Sequence, residues 1–264
     1  MNKKRIDILL VERGLAESRN RAQRLVMAGE VRVDGEMVHK SSTQVALDAH
    51  IEVKQKPKYV SRGGKKLAAA IEAFCVNVKG KVCADVGAST GGFTDCLLQN
   101  GAVKVYAIDV GYGVLHWKLR QDPRVIVMER INARYLDALP ESIDLVTIDA
   151  SFISLALILP AVKSWFEGAD GQTIALIKPQ FEAGRKAAAV HAGVIKDEAV
   201  HELVLKETLM SAHALGFWPM GLIPSPIRGP KGNVEFLVNL LLGQQDEPFK
   251  LDWMVEKALN EMLD

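Results

Sequence analysis

The sequence predicts an α/β protein, a doubly wound and mostly parallel sheet with a small α+β unit at its N-terminus. Three observations carry this. Short apolar runs with polar tips alternate with stretches of helical spacing, one of those runs turns through a glycine-rich loop directly into a helix, and charge is divided unevenly along the chain. Residues 1–66 hold 15 Lys and Arg against 8 Asp and Glu, a net of +7, while residues 67–264 hold 18 against 24, a net of −6. A basic front end on a mildly acidic body predicts a polyanion partner for the N-terminus.

Composition narrows the class further. With 264 residues, 48% hydrophobic and 25% charged, the chain can bury a full core and is expected to form one small and one large domain. No apolar run approaches the ~20 residues needed to cross a bilayer, and Asp7 interrupts the start before any signal-like core. Cys75, Cys83 and Cys96 form no Cys-x-x-Cys pair, so reduced core thiols in a cytoplasmic protein are expected. The six histidines are scattered, and no metal-ligand constellation is predicted.

Taken in order, residues 5–13 carry Ile6, Leu9 and Leu10 at helical spacing with Gly14 as the stop. Ser18 is placed to cap a second helix that ends at Gly29, with Ala22 and Leu25 facing a core and Arg21 and Arg24 three apart on an exposed side. Val31-Arg32-Val33, the turn Asp34-Gly35 and Met37-Val38 read as a hairpin. Arg5, Arg19, Arg21 and Arg24 are the candidate contacts to phosphate backbones. The pattern Ser18-Arg19-x-x-Ala22-x-x-Leu25-x-x-x-Gly29-x-Val31-x-Val33-Asp34-Gly35 resembles the small S-four RNA-binding domain over residues 5–56. That resemblance implies structured RNA, most often ribosomal, held by shape and phosphate contact.

Lys54-Gln55-Lys56-Pro57-Lys58 is polar and proline-containing, and marks a boundary. It divides a domain of residues 1–56 and a linker of 57–62 from a domain of 63–264. Beyond it a helix runs through Leu67, Ala70, Ile71 and Phe74, with Lys66 near its start, where surface exposure is the ordinary expectation. Val82-Cys83-Ala84 then leads into Asp85-Val86-Gly87-Ala88-Ser89-Thr90-Gly91-Gly92-Phe93-Thr94, a strand, a glycine loop and a helix start. The Gly-x-x-x-Gly-Gly spacing matches neither the dinucleotide nor the phosphate-loop fingerprint, and glycines at 87, 91 and 92 are expected to let a ligand approach bare backbone. The next strand, Val103 to Ile108, ends in Asp109, a carboxylate suited to both hydroxyls of a ribose. An acid at Asp85 favours a cationic ligand end, and together these point to S-adenosylmethionine. Residues 85 and 87–93, Asp109, Val110, Asn132 and Asp149 form the candidate cofactor site.

Further strands are expected at 125–128, 143–148 and 173–177, helices at 155–162 and 200–215, and a late strand over 234–240. Ligands in such sheets bind beyond the carboxyl ends of the strands. Those tips offer Asp149 and Lys178, while Glu235, near the start of the late strand, falls at an exposed-looking position by alternation. Methyl transfer to a ribose hydroxyl needs a base of high proton affinity that is free at neutral pH, and a buried lysine beside another ammonium answers that need.

Lys66, Asp149, Lys178 and Glu235 match the Lys-Asp-Lys-Glu tetrad of the FtsJ/RrmJ class of ribose methyltransferases, which resemblance implies a Rossmann-like class I methyltransferase fold. Lys66 is chosen over Lys65 because Leu67 follows it. Ser61-Arg62-Gly63, residues 85–94, Asp109 to Gly113, Asp149 to Leu155, Lys178 to Glu182 and Gly232 to Glu235 together make the whole chain similar to the TlyA family, also labelled hemolysin A. The resemblance implies 2′-O-methylation of cytidines in ribosomal RNA, in the large subunit and, for longer members, the small subunit too. Lys178 would be the general base, Asp149 and Lys66 would shape the pocket charge, Glu235 would orient Lys66 or the ribose, and Arg62 would join the RNA contacts. A C-terminal helix with Leu251, Met254, Val255, Leu259 and Met262 on one face points to the longer type. Residues 183–193 lack a clear period and are expected to form a mobile lid. Two other classes stay open: a catalytically silent ribosome assembly factor, against which the intact tetrad counts, and a membrane-active hemolysin, for which no spanning or strongly amphipathic basic segment is found.

Overall fold

The computed structural model describes residues 2–54, 57–168, 170–183, 194–243 and 248–262. Two compact units divide the chain, Met1–Pro57 and Lys58–Asp264.

The first unit contains β1 (Lys3–Arg5), α1 (Ile6–Glu12), α2 (Arg19–Met27), β2 (Val31–Val33), β3 (Glu36–Met37), β4 (Gln44–Ala46) and β5 (Ile51–Val53). Strand β2 pairs antiparallel with both β3 and β5, and β1 pairs with β4. Ser18 Oγ accepts the Arg21 amide at 3.3 Å, capping α2 as expected. Asp34 and Gly35 turn the hairpin with φ of 49° and 85°, the paired positive values that suit a tight hairpin with right-handed twist. Ile6, Leu9 and Leu10 of α1 meet Ala22, Leu25 and Val26 of α2 in a small apolar core that includes Val31. Strands β1, β4 and β5 have three residues each, too few for alternation to reveal, and the sequence did not announce them.

A carboxylate stands at the edge of that core. Asp7 is fully buried, and its oxygens accept Arg5 Nε and Nη2 at 3.0 and 2.9 Å, Gln23 Nε2 at 3.0 Å and Arg19 Nε at 3.1 Å. The Arg5 hydrogen bonds, opposed by burial and joined by Gln23 and Arg19, hold this carboxyl well below the usual carboxylate range. Arg5 and Arg19 thus commit part of their donors to Asp7. Arg24 is exposed, but Arg21 is half-buried rather than on the open side its spacing suggested.

In the second unit a seven-stranded sheet has the order β11-β12-β10-β9-β6-β7-β8. The strands are β6 (Val82–Val86), β7 (Lys104–Asp109), β8 (Val125–Glu129), β9 (Leu145–Ile148), β10 (Gln172–Ile177), β11 (Phe217–Pro224) and β12 (Phe236–Leu242). Those from β10 to β8 in this order run parallel, while β12 lies antiparallel to both β10 and β11. Helices α3 (Gly63–Ala73), α4 (Gly92–Gln99), α5 (Trp117–Arg120), α6 (Leu155–Lys163), α7 (Pro179–Glu182), α8 (Glu198–Ala214) and α9 (Leu251–Asn260) complete it. Alternate strand residues feed different cores: Ala84 and Val86 join Ile158, Leu159, Leu205 and Phe217, whereas Cys83 joins Leu67, Phe93 and Leu97.

Strand β11 escaped the sequence because Pro219 and Gly221 interrupt it. At the sheet edge a missing N–H is tolerated, and the pairing with β12 shifts between these two residues. Cys83 and Cys96 are free and buried as core thiols, and Cys75 is free but exposed. The α9 helix buries Met254, Val255, Ala258 and Leu259. Among the described residues no helix is long and apolar enough to cross a membrane. The predicted lid, residues 183–193, lies outside the described residues apart from Ala183.

Asp7 yields a measurable consequence. Its folded pKa is depressed, so its contribution is present in full above the ordinary carboxylate pKa near ~4 and is lost as pH falls through the depressed value. Asp7→Asn is expected to destabilise the first unit by about 1–3 kcal/mol at neutral pH, read as faster hydrogen exchange of the α1 and α2 amides; unchanged protection would show that the carboxylate carries no such role.

Candidate active site

The carboxyl edge of the sheet gathers the site, and pairing register decides which residues meet there. Ile177 of β10 pairs with Phe236 of β12, so Lys178, one residue after the first, and Glu235, one before the second, emerge at the same end of antiparallel neighbours. Ile148 of β9 pairs with Val86 of β6, which sets Asp149 beside the start of the glycine loop. Lys66 arrives from the first turn of α3.

Four charged groups form a chain of alternating sign. Glu235 Oε2 accepts Lys66 Nζ at 2.6 Å, Lys66 Nζ lies 3.9 Å from Asp149 Oδ2, and Lys178 Nζ lies 2.6 Å from Asp149 Oδ1. Lys178 Nζ also donates to Ser151 Oγ at 2.9 Å. Lys66, Lys178 and Glu235 are buried, with residue exposures of 7%, 6% and 1%, and Asp149 is the partly open member. Lys66 is therefore not the surface residue its helix position suggested, while Lys65 is exposed. Glu235 departs from its exposed-looking alternation, because the strand it leads is buried on both faces. Its Oε1 has no hydrogen-bond partner among the described residues.

Beside this chain a cavity of about 330 Å³ is lined by Ser61 to Gly63, Lys66, residues 87–90, Gly92, Phe93, Asp149 and residues 227–229. That volume is in the range of small-molecule sites. The protein's own packing demands glycine at 87 and 92. A Cβ on Gly87, at φ +81°, would stand 2.7 Å from the Asp149 carbonyl oxygen, and one on Gly92 would meet Ser61 Oγ at 2.3 Å. Gly91 does not line the cavity; its φ of +95° turns the chain into α4 against Leu115 and Leu119.

Asp85 is placed differently from the expectation of a carboxylate facing a bound cation. It is fully buried and absent from the cavity lining, bonded by Thr94 Oγ1 at 2.6 Å and Thr147 Oγ1 at 3.1 Å. Burial pushes its carboxyl up to about 7, with the threonine hydrogen bonds pulling the other way. Its position braces the loop from behind. Asp109, half-buried at the tip of β7, accepts the amides of Ser89 at 2.8 Å and Gly111 at 2.7 Å, one on each oxygen. Each oxygen keeps a further lone pair, so the carboxylate fits a ribose diol. Val110 and Asn132 are exposed on adjoining loops, and Asn132 Oδ1 caps the turn Ala133–Tyr135 through the Arg134 amide. The residues of this edge could hold S-adenosylmethionine: residues 87–90 and 92–93 line the cavity, and Asp109, outside its lining, could accept from a ribose diol.

Arg62 is exposed at the cavity. Two further polar residues, Ser151 and Arg228, border the site without having been singled out. Ser151 lay inside the quoted Asp149-Ala-Ser-Phe tip, and Arg228 in the Pro- and Gly-rich turn just before Glu235. Loop 149–154 is tied down by the neighbouring turn: Glu182 Oε1 accepts the Leu155 amide at 2.9 Å, and the Phe152 and Phe181 rings approach to 4.8 Å.

Residues 59–241 match the FtsJ-like methyltransferase family and residues 4–51 match the S4 domain. The chain is similar to a Mycobacterium tuberculosis protein named 16S/23S rRNA (cytidine-2′-O)-methyltransferase TlyA, 45% identical over 264 residues covering 97% of each chain. It is 50% identical to YqxC of Bacillus subtilis over 243 residues, 90% of this chain and 85% of that one. A solved structure from Streptococcus thermophilus, 43% identical, covers 100% of this chain and 98% of its own with a TM-score of 0.72.

Asp85 makes the loop's burial measurable. With its folded pKa raised, the stability it supports is present below the ordinary carboxylate pKa and is lost as pH rises through about 7. Wild-type stability is expected to fall by on the order of 2–3 kcal/mol more than that of Asp85→Asn between about pH 5 and pH 8. Parallel stability-against-pH curves for the two proteins would contradict this assignment.

Proposed function

Because the chain belongs to the FtsJ-like methyltransferase family, we propose that it methylates the 2′-hydroxyl of cytidine in ribosomal RNA, in the large subunit and also in the small. The enzyme is an S-adenosylmethionine-dependent methyltransferase. The observation that carries the finer reading is the unbroken alternation of Glu235, Lys66, Asp149 and Lys178 beside the glycine loop. Support for the substrate comes from the S4 domain match and from the name of the M. tuberculosis relative, which this chain matches over 97% of its length.

Residues 87–90, 92 and 93 with Asp109 would hold S-adenosylmethionine, which would supply an electrophilic methyl group on a positively charged sulfur. The chain's own residues handle the hydroxyl. Lys178 Nζ, once its own proton is lost, takes the proton of the 2′-hydroxyl as attack proceeds. Asp149 and Ser151 aim that nitrogen, since both lie within hydrogen-bonding reach of it. Lys66, held by Glu235, pairs with the other oxygen of Asp149. Holding the nucleophile in line is the larger part of the demand, because a correctly oriented pair reacts as a single molecule. Arg62 and the basic first unit contribute phosphate contacts that keep the RNA in register.

The test uses purified protein, labelled S-adenosylmethionine and ribosomal subunits lacking the modification, with the label mapped to ribose or base. Label on cytidine ribose is expected, and none on either subunit despite RNA and cofactor binding would favour a silent assembly factor. Lys178→Ala is expected to lower turnover by roughly 10²–10⁴-fold with cofactor Kd within about threefold of wild type; retained turnover would remove Lys178 from its assigned role.

A further inference from the structure

Charge at the cavity is unevenly settled. Arg62, Lys66 and Arg228 line it, and Asp149 is the carboxylate among its described lining residues. Lys66 is committed to Glu235 and Asp149. Arg62 and Arg228 are exposed, and neither forms an ion pair among the described residues; Arg228 Nη1 makes one long contact, 3.4 Å, with the Gly232 carbonyl. Two guanidinium groups without anions therefore face the space a substrate must enter.

The mount that carries Arg228 is firm. Ser225 donates its amide to the Glu235 carbonyl at 2.8 Å and its Oγ to the Ile227 carbonyl at 2.7 Å, and the Gly229 amide donates to the Asn233 carbonyl at 2.9 Å. At Gly229 a Cβ would stand 2.2 Å from Glu235 Oε1, so the loop presses directly on the buried carboxylate. The backbone at Arg228 cannot shift without disturbing the Lys66–Glu235 pair. The side chain is thus mounted on a restrained backbone and lines the cavity beside the charged chain.

We propose that Arg228, together with Arg62, grips the phosphodiesters that flank the nucleotide whose ribose enters the cavity. This rests on RNA being the substrate, as argued above. A ribose inside a strand carries a phosphate on each side, and a guanidinium offers the planar, paired donors that match phosphate oxygens. The other anion at hand is the carboxylate of S-adenosylmethionine. That end of the cofactor also carries an ammonium and a sulfonium, so two further cations suit a polyanion better.

Arg228→Ala and Arg228→Lys in the full-length protein decide the matter, with RNA affinity and steady-state turnover measured over a range of salt and cofactor Kd measured separately. For the alanine variant kcat/KM for RNA is expected to fall about tenfold through KM, and the log–log salt slope of RNA affinity to lessen by about one. Lysine should restore the slope but not all of kcat/KM, because it lacks the paired donors. An unchanged KM and slope would overturn the proposal. So would a weakened cofactor Kd with RNA affinity intact, which would assign the guanidinium to the cofactor carboxylate. Wild-type turnover on ribose, measured in parallel, tests the parent reading, and the ratio of variant to wild type tests this one.

Discussion

Lys66, Asp149, Lys178 and Glu235 are held together where three of the four have little access to water. An isolated ion in such a place would be strongly unfavourable, and removing one partner of a buried pair leaves the other uncompensated. Alternation of sign resolves the conflict. Glu235 bonds Lys66, and Asp149 stands between the two ammonium groups. Four separate elements must therefore end at one edge in matching register, so the sheet order is constrained by the site as much as by the cores on its two faces. The antiparallel insertion of β12 beside β10 is the topological step that brings Glu235 to the same end as Lys178.

Close approach of backbone segments is the second constraint. The loop after β6 presses on the Asp149 carbonyl, α4 begins against Ser61 and Gly64, and the turn before β12 presses on Glu235. In each place a glycine removes the Cβ that would keep the segments apart. The same contacts that hold the cavity walls hold the charged chain, so the glycine loop and the four charged residues share a frame. Asp85 extends that frame inward, accepting hydroxyls from α4 and β9 rather than facing the cavity.

The first unit follows related physics on a smaller scale. Asp7 is buried at the edge of a core too small to tolerate an unpaired charge, and Arg5, Arg19 and Gln23 close around it. Arg5 and Arg19 thus serve the unit's own architecture with some of their donors. A guanidinium has five donors, so the bonds to Asp7 do not use all of them.

Much of this was legible from residue order alone. Local signals decide local structure: Ser18 caps its helix, Asp34-Gly35 turns its hairpin, and the glycine loop joins β6 to α4, since each depends on neighbours a few residues away. The candidacy of Lys66, Asp149, Lys178 and Glu235 could be read from their motifs. Their burial could not. Alternation misplaced Glu235 because a strand covered on both faces carries no polar period, and helix position misplaced Lys66 because its partner lies 169 residues away. Arg228 gave no pattern at all, being one basic residue in a turn whose direction is set by Glu235 behind it. Sequence by itself thus determined many of the elements, though not β1, β4, β5 or β11, along with the fold class and the chemical types available, through short-range sterics and hydrogen bonding. Only the tertiary structure decided which charges meet, which are buried and which face the cavity, because those outcomes depend on sheet register and on contacts between segments far apart in the chain.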